Sequence, residues 1–358
     1  MIGKDTKGYT DFSVEEWGRK QMKKRIGIPK GLLYYDYFPL WIKFFEGLGA
    51  EVVVSRGTNK HILEKGVKNI IDEVCLPVKV FNGHIIELID LHVDYIFVPK
   101  IMSIYAGEYI CPKFCGLPEL IKSSIKDLPP IIDTKIDFYK SKNKLLETVY
   151  EIGSYVTKDE ELIEYSFEKA MEDYYEYRRQ IKQGALPIDL VYSPGKSARE
   201  PRYHKSQILL LGHSYNIYDP YTSMNLIEKL RRQGMDVLTA DNISTPIINE
   251  KAKSMDKKMF WSFGRKLLGA AFYAMEQKEV CGIIYLSSFG CGLDSVIADI
   301  IERRVRRNTN KPFAMLTIDE HTGEAGIDTR IEAFVDMIRW RGTYENNFSP
   351  YGEYLHIH

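Results

Sequence analysis

No apolar run in this chain approaches the roughly 18 to 20 residues that span a bilayer; runs such as VCGIIYL are far shorter. The opening stretch, MIGKDTKGYTDFSVEEWGRK, lacks the apolar core of a signal peptide. A cytoplasmic location with no membrane partner is therefore expected. Net charge is also missing: 49 Lys and Arg balance 49 Asp and Glu, which leaves no long-range field to draw in a nucleic acid. Only five cysteines occur in 358 residues. In a reducing compartment that excludes a disulfide framework and makes metal binding or redox work the better default for clustered ones. There is no G-x-x-x-x-G-K-[ST] loop, and no G-x-G-x-x-G follows a strand. SFGCGLDS has the glycines of a phosphate loop without the lysine. Any ATP hydrolysis in the system is expected of another chain.

What is present is a repeated α/β pattern. The chain is too long for one ordinary core, and its 44% apolar content is enough to bury two. From Arg25, RIGIPKGLLYYDYFPLWIKFFEGLGAEVVVS reads as strand, loop, bulky helix, Gly stop and strand. The strand VDYIFVPKI, a cysteine loop, a helix near Leu117 and a strand PPIIDTKID complete the first unit. From Gln207 the order starts again: QILLLGHSYNIYDPYT, then VCGIIYLSSFGCGLDS, then KPFAMLTID. Between the units the pattern is helical, with Thr157 and Glu160 spaced as a capping box and Gly184 as a C-cap. The expected fold is α/β: two homologous Rossmann-like parallel-sheet domains (25–137 and 206–345), with a helical segment and linker (138–205) between them. An N-terminal helical extension (1–24) and a tail (346–358) flank these. In open α/β sheets the loops at the carboxyl ends of the strands carry the sites. Both cysteine loops fall there, so the site is expected in a cleft between the two domains.

Cys111 and Cys115 lie in the loop of the first half, Cys291 in the equivalent loop of the second, and Cys75 beside a helix break at Pro77. Cys281 sits within an apolar strand and reads as a buried hydrophobe. Cys115 and Cys291 each precede an expected helix, whose free amides favour a thiolate or an anionic cluster. Soft thiolate ligands suit iron–sulfur, zinc or copper(I), and spacing alone does not separate these metals. His84, His213 and Glu324 fall at loop edges and are candidate proton-handling groups. Lys79 and Arg330 are candidate anion contacts, and Tyr35 and Tyr218 candidate cleft-lining residues.

Six ordered motifs between Arg25 and Arg341 carry a resemblance: GIPKGLLYYDYFPLWIKFFEGLGAEVVVS, DEVCLPVKVFNGH, CPKFCGLPE, GHSYNIYDPY, FGCGLDS and DEHTGEAGIDTRIEAFVDM. Together they resemble the 2-hydroxyacyl-CoA dehydratase-related proteins, in particular the branch associated with ATP-dependent dehydratase activases. The wider superfamily includes double-cubane cluster proteins, whose larger thiolate set exceeds five cysteines. The resemblance implies one [4Fe–4S] cluster between two α/β domains, ligated by Cys75, Cys111 and Cys291. If Cys115 is a fourth ligand the cluster is closed; if not, one iron is open to water or substrate. It further implies an ATP-dependent activase as electron donor and a small-molecule or CoA-thioester substrate. A homodimer is compatible with the sequence. The leading expectation is an oxygen-sensitive iron–sulfur enzyme of anaerobic type, dehydratase-like or a reductase, performing low-potential reductive or radical chemistry. Its rivals are a non-catalytic iron–sulfur electron relay or assembly protein, and a zinc-stabilised scaffold.

Overall fold

The computed structural model describes residues 23–105, 107–137, 142–192, 206–255 and 257–344. Residues 1–22 of the expected N-terminal extension (1–24), the linker over 193–205 and the tail over 346–358 lie outside the described residues.

The first half runs β1 (Arg25–Ile28), α1 (Tyr34–Gly47), β2 (Glu51–Val54), α2 (Lys60–Lys68), α3 (Leu76–Asp90), β3 (Tyr95–Phe97), β4 (Lys100–Ser103), α4 (Pro112–Cys115), α5 (Leu117–Ser124), β5 (Ile131–Ile132) and β6 (Lys135–Asp137). Three helices follow: α6 (Lys142–Gly153), α7 (Glu160–Lys182) and α8 (Pro187–Tyr192). The second half runs β7 (Gln207–Leu211), α9 (Ser214–Ile217), α10 (Leu226–Arg232), β8 (Asp236–Thr239), α11 (Thr245–Ala252), α12 (Ser262–Glu276), β9 (Val280–Ser288), α13 (Gly292–Asn308), β10 (Phe313–Ile318) and α14 (Glu324–Tyr344). None of the helices among the described residues is long and apolar enough to cross a membrane.

Each half holds a four-stranded parallel sheet, ordered β2-β1-β3-β5 and β8-β7-β9-β10. In both, the first strand lies inside, the second at one edge, and the third and fourth on the other side. The repeat in the sequence is thus a repeat of topology. The strand order reverses between β1 and β3 and between β7 and β9, which is where such sheets open a crevice. Side-chain alternation explains the near-continuous apolar runs of the second sheet. Leu209, Leu211, Ile283 and Tyr285 enter one core, while Ile208, Leu210, Ile284 and Leu286 enter the other. A sheet covered on both faces needs apolar residues at every position.

The expected strand PPIIDTKID is two strands. Pro99, which has no amide hydrogen, interrupts the partner strand between β3 and β4, and β4 and β6 form a separate two-stranded extension. That extension carries the chain outward to the cysteine loop. The capping of α7 also differs from expectation. Asp159, not Thr157, is the N-cap, accepting from the Leu162 amide at 3.0 Å; Thr157 Oγ1 instead accepts from the Asp159 amide at 3.2 Å. Gly184 takes φ +104° just beyond the helix, and the Gly184 and Ala185 amides bond back to Ile181 and Gln180. Such a left-handed stop suits glycine.

Helix α7 straps the halves together. Its aromatic side pairs with α1 through Tyr174–Tyr37 (5.7 Å between centroids) and Tyr177–Phe38 (5.1 Å). Its end reaches the second half, where Lys182 Nζ donates to the Asp241 and Ile243 carbonyls, both at 2.5 Å. The 138–205 segment is therefore a clasp in its described part.

Helix α3 is held equally tightly. Gly66 of α2 and Gly83 of α3 face each other's helices so closely that a Cβ on Gly83 would lie 1.9 Å from the Ile62 carbonyl oxygen. Backbone cannot yield as a flexible side chain can. Gly83→Ala is expected to lower stability by about 1–3 kcal/mol, read as a lower denaturant midpoint; an unchanged midpoint would refute the close crossing.

Candidate functional site

Three cysteines occupy the same local position. Cys75 is the N-cap of α3, Cys111 of α4 and Cys291 of α13, and none of the three makes a side-chain capping hydrogen bond. The Val78 and Phe114 amides of the first turns donate instead to the Cys75 and Cys111 carbonyls, both at 3.0 Å. The two halves touch at this point: at Gly290, with φ +76°, an added Cβ would lie 3.7 Å from Cys75 Cα. Burial pushes the Cys75 thiol up, Cys291 and Cys111 push it further, and Lys113 and the Val78 amide oppose them. Tyr215 stands among all three. Burial raises its hydroxyl well above the ordinary range, and Cys291, Asp294, Cys75 and Cys111 add to that. Hence three cysteines far apart in sequence lie close enough to influence one another and Tyr215 where the halves meet.

Cys115 differs. It is the last residue of α4 rather than the residue before a helix, because Pro112 starts a helical turn earlier than expected. Its thiol donates to the Ile101 carbonyl at 3.5 Å. Burial raises its pKa, with Cys111 adding to the effect. Cys281, half-buried in β9, donates its thiol hydrogen to the Gln207 carbonyl of the neighbouring β7, at 3.1 Å.

His213 joins the converging set. Gly212 precedes it with φ +150°, where an added Cβ would lie 2.6 Å from the Leu286 carbonyl oxygen. This tight turn at the end of β7 sets the imidazole at the second sheet's reversal point, beside the end of β9. His213 is 4% exposed and Asp294 only 1%. Their Nε2 and Oδ1 atoms lie 3.2 Å apart, an ion-pair contact without the alignment of a hydrogen bond. Ligating atoms of His213, Cys291 and Asp294 all fall within 4.8 Å of one another. Burial by itself would pull the imidazole down, but Asp294 and Cys291 outweigh it and push it up to about 10. The ring is charged at neutral pH. Burial would likewise raise Asp294, yet His213 and the Tyr285 hydroxyl, 2.7 Å from Oδ1, hold it below the usual range. Asp294 was not singled out from the sequence. Its signal was position, three residues beyond Cys291 in the first turn of α13.

Of these, His213, Cys291 and Asp294 form a donor set that could hold a metal ion, the imidazole only once its Nε2 proton is lost. Thiolates are the donors that iron–sulfur clusters and zinc take.

The other expected site residues lie elsewhere. His84 is nine residues along α3 from Cys75, roughly 13 Å of helix axis. Its Nδ1 pairs with Ser55 Oγ and its Nε2 with Thr58 Oγ1, both at 3.0 Å, and Thr58 donates on to Asp219 of the second half. Lys79 is buried and paired with Glu320 at 2.6 Å, bridging the halves. Glu324 is exposed and pairs with Lys229 at 2.7 Å, and Arg330 is exposed on α14. Tyr35 and Tyr218 meet between the halves with ring centroids 6.1 Å apart. The Tyr218 hydroxyl is 2.9 Å from Asp241.

Residues 25–243 match a family described as CoA enzyme activase uncharacterised domain (DUF2229). No curated protein matches the chain.

Burial, then Lys30, lowers His84 from 6.5 to about 3, so the folded state keeps it neutral while the unfolded chain protonates it near pH 6.5. Stability is then complete above about pH 6.5 and falls as pH drops toward 3. At pH 5 the loss from this group is about 2 kcal/mol. His84→Gln is expected to flatten the stability–pH slope by about one proton over that window, measured by denaturant melts at several pH values. An unchanged slope would refute the neutral, buried state.

Proposed function

The chain belongs to this CoA enzyme activase domain family, and on that premise we propose that it is a [4Fe–4S] protein of a dehydratase-type system. Cys75, Cys111 and Cys291 would hold the cluster between the two α/β halves. The observation that carries this reading is the convergence of three helix-capping cysteines, drawn from both halves, with no capping bond of their own. When bound, the cluster supplies low-potential one-electron chemistry on a small molecule or acyl thioester, with electrons from an ATP-dependent activase.

The chain's own residues do the rest. The starts of α3 and α13 aim partial positive charge at the cleft, which favours thiolates and an anionic cluster. Apolar rings limit water: Tyr215 stacks on His213 at 4.9 Å, and Phe263 meets His213 at 5.3 Å and Phe114 at 5.9 Å. His213 holds a proton on a charged ring beside Cys291, fixed there by Asp294. Cys115, bonded to a backbone carbonyl, remains outside the ligand set, which leaves one cluster position without a thiolate.

A second reading rests on the close grouping of His213, Cys291 and Asp294, which suits a single ion such as zinc. Metal analysis separates the two. Anaerobically purified protein is expected to hold iron and labile sulfide in equal amounts, about four of each. Cys75→Ala, Cys111→Ala and Cys291→Ala should each lose most of both, while Cys115→Ala should keep them with an unchanged EPR spectrum of the reduced protein. Stoichiometric zinc without sulfide, abolished by His213→Ala, would replace the cluster reading with the second one.

A further inference from the structure

Beyond the cysteines, across the Phe263 ring, lies a cavity of about 80 Å³. It is enclosed by α1, α7, α11, the start of α12 and the loops after β4 and β8, and no motif in the sequence points to it. Four cations line it: Arg178, Lys182, Arg265 and Lys266. Asp36 is the carboxylate that lines it with them.

The local charges do not cancel. Asp241 serves two of the cations, Lys266 at 2.7 Å and Arg178 at 3.6 Å. Glu108 takes Arg265 at 2.6 Å. Lys182 Nζ has the two carbonyls of Asp241 and Ile243. Four cations therefore stand against three carboxylates. Burial, reinforced by Arg178, pulls the Lys182 ammonium down to about 8, the cost of a charge that an arriving anion would offset. Burial also pushes Asp36 up, against the pull of Lys266, toward its neutral form.

The start of α12 adds a second, independent feature. Trp261 caps this 15-residue helix without a side-chain hydrogen bond. Ser262, its first residue, lines the cavity and is 2% exposed, yet its hydroxyl has no hydrogen-bond partner among the described residues. A buried hydroxyl left unpaired is costly and rare. Beside a helix N-terminus and surplus cations, an oxyanion would supply that partner.

We propose that this cavity is an anion subsite, in which the Ser262 hydroxyl, the first-turn amides of α12 beyond Ser262 (whose own amide donates to the Tyr109 carbonyl at 3.0 Å) and Lys182 hold the carboxylate or phosphate group of the substrate. The word substrate rests on the preceding reading, since the cavity adjoins the cysteine cleft through Phe263; the anion binding itself does not require a cluster.

The test is a titration of the full-length protein with inorganic phosphate and, separately, propionate at constant ionic strength, followed by melting temperature and calorimetry. Saturable binding of either is expected; phosphate alone would identify the phosphate source, propionate alone the carboxylate. Ser262→Ala should weaken binding about tenfold, the worth of one hydrogen bond to a charged group. It should leave the ligand-free melting temperature equal or higher, because it removes an unsatisfied hydroxyl. A purely structural serine would show the opposite pair of results. Lys182→Met should weaken binding at least as much; should it fail to fold, Ser262→Ala still decides. No binding of either anion, or equal binding by Ser262→Ala, overturns the subsite. Iron and sulfide measured on the same preparation keep the readings apart: binding without a cluster sinks only the cluster, and a cluster without binding sinks only the subsite.

Discussion

Three helices that begin with cysteine are the constraint on which the rest of the molecule turns. Serine, threonine, aspartate or asparagine at these positions would satisfy a first-turn amide and add about 1 kcal/mol each. Cys75, Cys111 and Cys291 forgo that bond. What they offer instead is a soft donor at the positive end of a helix, repeated three times around one space. Such an arrangement is useful only if the helices stay in fixed mutual register, because the thiols come from both halves.

The fixing is done by contacts that cross between the halves, and several are buried or half-buried. Lys79 meets Glu320, Arg265 meets Glu108, Thr58 donates to Asp219, and Ser214 donates to Asp36. Buried ion pairs stabilise little on balance, since desolvation offsets most of the attraction, but breaking one is expensive. Their effect is to penalise any shift of one half against the other. Helix α7 adds apolar area to the same end, with aromatic pairs on α1 and a cap that grips the β8 side through Asn242 and Lys182. Lys79 thus has a structural task before any contact with an anion.

Much of this was legible in sequence because it was periodic or repeated. The apolar runs set the strands, the Tyr-Asp loops and Gly stops marked the second half as a copy of the first, and that copying placed Cys291 opposite the Cys111 loop. That Cys111 also opens a helix was missed, although Pro112 follows it directly and proline favours the first helical position; the helix expected near Leu117 is present as α5. The anion cavity was not readable. Its residues come from α1, α7, α11, α12 and the loops after β4 and β8, and charges such as Arg178 and Lys182 have ordinary spacing for a solvated helix face. Only the strap of α7 across both halves turns them inward. The α7 cap was missed for a smaller reason: Thr157 and Asp159 are both good caps, and two residues separate them.

The two histidines taken from the sequence as equivalents show how the fold divides one residue type between two tasks. His84 has both ring nitrogens committed to hydroxyls, with Asp219 reached only through Thr58 and Lys30 nearby. No anion touches it directly, so desolvation wins and the ring stays neutral. His213 is as deeply buried, yet Asp294 lies 3.2 Å from it and Cys291 beside it. There the attraction outweighs desolvation and the ring is charged. A neutral ring with both nitrogens engaged has no proton to give without losing a hydrogen bond. His213 is thus the histidine held charged beside Cys291, and His84 a member of the hydrogen-bonded link between the halves.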